Sequence, residues 1–148
     1  MTEGTNSFAM KWVFYGSVPE NVRQLMDDQI DFSFNDGGKF SPVLLEAIQW
    51  NFHSDFKYDY ELGYWDNGVC ALFERIGGID ALASLVKEAN PLRRTLHITR
   101  RATETDIVDG PGPFSQDSEY FTINLSEKTL SRISVLGLDL FITYRVPR

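Results

Sequence analysis

The sequence predicts an α+β fold: one domain over 1–148, with about six strands in a mostly antiparallel or mixed sheet and four or five helices packed on it. Three observations lead there. Apolar residues alternate with period two in several separate stretches, and helical spacing and capping signals fall between them. The two kinds of segment do not alternate strictly, which favours α+β over a wound parallel sheet. At 148 residues with 43% hydrophobic content, the chain has enough apolar material for one packed core.

In chain order, residues 1–7 are small and polar and are expected to fray. Over 8–15, Phe8, Met10, Trp12 and Phe14 fall on one face of a first strand. Ser17 is placed to cap a helix with Pro19 and Glu20 in its first turn, and Val18, Val22, Leu25 and Met26 form its stripe. Ile30, Phe32 and Phe34 alternate as a second strand, and Asn35-Asp36-Gly37-Gly38 signals a turn. Ser41-Pro42 opens a second helix, with Leu44, Leu45, Ile48 and Phe52 at buried spacing.

Residues 56–65 read as a strand, with Phe56, Tyr58, Tyr60, Leu62 and Tyr64 opposite Lys57, Asp59 and Glu61. The region 69–90 is helical in composition, but Gly77-Gly78 would cost a helix interior about 2 kcal/mol together, so a break is expected there. Asn90-Pro91 stops the second half. The strand at 92–101 turns Leu92, Leu96 and Ile98 inward and Arg93, His97 and Arg101 outward, and 102–118 forms a long loop. The closing unit, 119–146, reads strand, helix, strand. Ser126 caps its helix, Leu130, Ile133 and Leu136 line it, and Gly137 ends it. Leu140 and Ile142 are expected in the core of the last strand.

The net charge of −7 argues against nucleic acid and anionic membranes as partners and suits a basic protein. The single cysteine, Cys70, excludes an intrachain disulfide, and the first ten residues carry no signal-peptide pattern, so a cytoplasmic location is expected. No apolar run approaches the ~20 residues that span a bilayer. The two histidines, His53 and His97, show no metal-ligand spacing, and no cofactor motif is present. The segment 34–41 lacks the first glycine and the Ser or Thr of a phosphate loop.

One stretch combines charge with aromatic surface. Asp55, Asp59, Glu61 and Asp66 offer acidic steering, and Tyr64 or Trp65 an aromatic anchor, for a basic protein partner. Two other readings stay open: a small-ligand-binding or regulatory domain, and a hydrolase using Asp59 and Glu61 as paired carboxylates on one strand face. The strip Arg93, His97, Arg101 is a candidate anion surface.

The stretch KWVFYGSVPENVRQLM (11–26) resembles the opening strand, glycine and helix of a small bacterial family known as domain of unknown function 4279. The stretch YFTINLSEKTLSRISVLGLDLFITY (120–144) is similar to that family's closing unit, and Trp65 to Ile98 fits its middle loosely. Some such small acidic bacterial proteins act as immunity proteins beside secreted toxins. The resemblance therefore implies a non-enzymatic protein that neutralises a toxin by direct binding, and it transfers no active site.

Overall fold

The computed structural model describes residues 5–25, 45–54, 61–101 and 123–145 in full, and 30–34 and 55 as backbone. Within these, the elements run β1 Thr5–Tyr15, α1 Glu20–Arg23, β2 Ile30–Phe34, β3 Leu45–Asp55, α2 Tyr64–Arg75, α3 Ile79–Ala89, β4 Arg93–Arg101, α4 Glu127–Val135 and β5 Asp139–Arg145. The architecture is α+β, with one sheet in the order β2-β3-β1-β4-β5. Three pairings are antiparallel and the last, β4 with β5, is parallel, so the sheet is mixed. The described residues hold five strands, one fewer than the sequence suggested.

β1 is the axis of the sheet. Its even-numbered residues Phe8, Met10, Trp12 and Phe14 face the helices and are buried. Across them lie Phe52, Trp50 and Ile48 of β3, and Ile98 and Leu96 of β4. Helices α2, α3 and α4 close this face with Trp65, Val69, Leu72, Phe73, Leu82, Val86 and Ile133. Gly68 sits in α2 directly over Phe8, and a Cβ built there would lie 2.2 Å from the ring. Only glycine lets helix and strand approach so closely. On the opposite face Val13, Leu45 and Ala47 form a small separate buried cluster.

Several expectations are corrected by this arrangement. Residues 5–7 are not frayed: Thr5 lies opposite both Asp55 and Arg101, and Asn6 is buried. Ser17 does not cap α1, which is a single turn starting after Pro19 with no side-chain cap. A different contact holds that turn. Glu46 accepts from the Val18 amide and from Arg23 Nη2, both at 3.1 Å, and Arg23 Nε donates to the Val18 carbonyl. The expected second helix is not formed over 45–52, which belong to strand β3. Leu44, Ile48 and Phe52 are four apart, and a multiple of four is also a multiple of two, so their spacing fits a strand face equally well. Trp50, on that same face and buried, settles it.

The break at Gly77-Gly78 is present, between the end of α2 and the start of α3. Ser126 caps α4, accepting from the Thr129 amide at 3.3 Å, and Gly137 follows with φ +64°. The buried stripe of α4, however, is Thr129, Ile133 and Leu136, leaving Leu130 exposed. Ile123 and Leu125 lie in irregular chain packed against the core, not in a strand. Leu92, expected inward, precedes β4 and is exposed, while Arg100, within β4, is buried with its guanidinium 5.6 Å from the Tyr144 ring. Leu140 and Ile142 are not core residues, for β5 is the edge strand. The loop expected at 102–118 lies outside the described residues.

Candidate functional site

The expected acidic and aromatic site falls on the turn and helix start at 61–66. The strand expected over 56–65 does not extend through it. Residues 61–63 form a turn closed by the Tyr64 amide donating to the Glu61 carbonyl at 3.1 Å, and α2 begins at Tyr64. The physical reason lies in the apolar spacing downstream. Trp65, Val69, Leu72, Phe73 and Ile76 recur at steps of three and four, a helical stripe that starts on Trp65 itself. Alternation of Tyr60, Leu62 and Tyr64 masked that stripe, although the signal was present in the sequence.

Trp65 is therefore no surface anchor. It is 2% exposed, lies 6.0 Å from the Phe8 ring and meets Tyr64 edge to face at 5.1 Å. Tyr64 is half-buried, and its hydroxyl accepts from Asn6 Nδ2 at 3.0 Å, tying α2 to β1. Asp66 turns toward α4 and its Oδ1 accepts from the Ser126 amide at 2.8 Å. Desolvation pushes the Asp66 carboxyl up. The Ser126 amide and the Thr129 and Ser126 hydroxyls bind the charged form, outweigh that cost and hold the carboxyl below its ordinary value. One carboxylate thus joins the first turn of α2 to the N-cap of α4. Arg132 Nη1 of α4 donates to Cys70 Sγ of α2 at 2.9 Å and repeats the link a turn further along.

Of the remaining expected residues, Glu61 is exposed beside Leu62, which is 95% exposed. Asp55 ends β3, with its Cα opposite Thr5. Asp59 lies outside the described residues. Glu61 sits in a turn, so strand spacing does not place it beside Asp59 on one face. The structure gathers Tyr64, Trp65 and Asp66 into the supporting layer and leaves Glu61 and Leu62 on the outside.

A second surface is the sheet face turned away from the helices. The cross-strand rows place Lys11 beside Gln49 and Thr95, Ala9 between Asn51 and His97, and Arg101 beside Arg145. His97 stacks on Phe141 with centroids 4.8 Å apart. Desolvation lowers the His97 pKa, and the positive charge of Lys11 lowers it further, so the ring favours its neutral form. Among the described residues, no three His, Cys, Asp or Glu side chains converge as a metal site, and no helix is long and apolar enough to cross a membrane.

The chain matches no protein family, no curated protein and no solved structure with which it was compared.

Proposed function

We propose that this protein acts by binding another protein, and that its partner is a basic toxin which it neutralises as an immunity protein would. The observation that carries the reading is the way Glu61 and Leu62 are presented. Both stand exposed on a turn whose base is fixed on three sides: Trp65 in the core, Tyr64 on Asn6, and Asp66 on the α4 cap. An exposed apolar side chain on a rigid base loses little freedom on binding, and an acidic neighbour steers a basic partner toward it. The net charge of −7 adds long-range attraction of the same sign. Leu62 takes the anchoring role first expected of Trp65, and Asp59 and Glu61 keep the steering role.

Surface-plasmon kinetics against a candidate toxin at two salt concentrations test this. Replacing Asp59 and Glu61 together by Asn and Gln lowers the on-rate and flattens its salt dependence. Leu62→Ala costs about 1–2 kcal/mol, mainly through faster dissociation. Wild-type rates from both variants would move the interface elsewhere. Failure to bind any basic toxin encoded beside this gene would end the immunity reading.

A second reading, a small anionic ligand on the open sheet face, is favoured by His97, Arg101 and Arg145 sharing that face. Stabilisation by added phosphate that disappears in Arg101→Gln would support it.

A further inference from the structure

Strand β5 closes one side of the sheet, and its outer edge is unpaired among the described residues. Its seven residues, DLFITYR, are unusual for an edge. Leu140, Phe141, Ile142 and Tyr144 are 36%, 48%, 51% and 41% exposed. Natural edges are usually blunted by proline, lysine or a bulge. This strand contains neither residue between its ends, and its pairing with β4 runs without interruption from Thr95 opposite Asp139 to Arg101 opposite Arg145. Its only charges are of opposite sign and stand at its two ends, both exposed: Asp139 first and Arg145 last.

We propose that β5 is the interface of a homodimer in which it pairs antiparallel with β5 of a second copy, joining the two sheets. In an antiparallel pair about a two-fold axis, the numbers of facing residues have a constant sum. Only the sum 139 + 145 = 284 sets each Asp139 against an Arg145 of the other copy, and it does so twice. The same register places Ile142 on the axis facing its own copy, and Leu140 against Tyr144. Sliding by one pair, to a sum of 282, sets Asp139 against Thr143 and loses both ion pairs. Parallel pairing would set like charge on like charge. The charge pattern therefore selects a single self-complementary register, and a two-fold contact of this kind closes without further growth. Backbone hydrogen bonds along the added strand supply affinity, and the end charges and apolar rungs supply register.

Sedimentation of the full chain over a range of concentrations tests the proposal. A monomer–dimer equilibrium is expected, and Ile142→Lys, which sets two ammonium groups face to face on the axis, shifts it to monomer. Asp139→Arg alone and Arg145→Asp alone each replace two ion pairs by two repulsive ones and weaken self-association at least about tenfold. The decisive result is their mixture: Arg at 139 then faces Asp at 145, and heterodimers form from two chains that no longer dimerise alone. Circular dichroism of each variant confirms that it is folded. The double reversal, Asp139→Arg with Arg145→Asp, regains wild-type dimerisation. A chain that stays monomeric at every concentration overturns the proposal. So does a dimer indifferent to these changes, or a mixture of the two single variants that fails to associate.

Discussion

Strands β1 and β5 carry nearly the same alternating pattern, yet they meet different surroundings. Phe8, Met10 and Trp12 of β1 are fully buried, whereas Leu140 and Ile142 of β5 are 36% and 51% exposed. β1 has a strand on each side and α2 above it, while among the described residues β5 has one neighbouring strand and adds no side chain to the buried cluster. Period-two alternation reports which side chains share a face. It does not report what covers that face, because the cover comes from elements distant in sequence. On the helix side the core ends at Leu138, which is buried just before β5 begins.

The contrast predicts a hierarchy of losses in urea titrations made at concentrations low enough to keep the chain monomeric. Trp12→Ala, which empties a fully enclosed site, should cost about 3–5 kcal/mol. Leu140→Ala, losing only partly covered methyl groups, should cost about 1 kcal/mol. Equal losses would show that β5 is as much a part of the core as β1.

Next in size is Gly68→Ala. On helix propensity alone it should stabilise α2 by about 1 kcal/mol. Because the new methyl would meet the Phe8 ring, we expect instead a net loss of about 1–3 kcal/mol. A double-mutant cycle with Phe8→Leu should show a coupling that partly restores the loss, while simple additivity would place the strain elsewhere.

The smallest effects are in pH dependence; both are losses as pH falls, and they separate the two regions by window. Asp66, on the helical side above β1, has a lowered pKa, so its contribution is present above its ordinary value of 3.8 and is lost as pH falls through the folded value. Asp66→Asn should remove that acid component. His97, stacked on β5, also has a lowered pKa, but its neutral form is the one favoured by folding. The unfolded chain therefore takes up the proton first, and stability falls as pH drops below the ordinary value of 6.5. His97→Gln should flatten the melting temperature between neutral and mildly acid pH while leaving the Asp66 component intact.

How far the sequence could be read depended on whether one element's own residues carried the signal. The first strand, the Gly77-Gly78 break and the Ser126 cap are each written in a few adjacent side chains, and each stands as read. Over 45–52 the spacing of four satisfies both periods, and only the burial of Trp50 distinguishes strand from helix. Residues 61–65 were misread because an aromatic alternation ran into a helix stripe beginning at Trp65. That error displaced the candidate site: an aromatic judged to be surface was the first core residue of a helix. The Asp66 bond to Ser126 joins residues sixty apart and could not be seen before the elements were assembled.

The position of β1 bears on how the chain is made. Of the five described strands, the one that leaves the ribosome first is the middle one of the sheet, and its Thr5 pairs with Arg101. Until the residues near 93–101 emerge, one side of β1 has no partner, and Phe8, Met10 and Trp12 wait for the helices encoded between. Such non-local closure slows folding and leaves apolar surface open to other nascent chains. Yield in a cell should therefore depend on translation speed and chaperone supply more than on final stability.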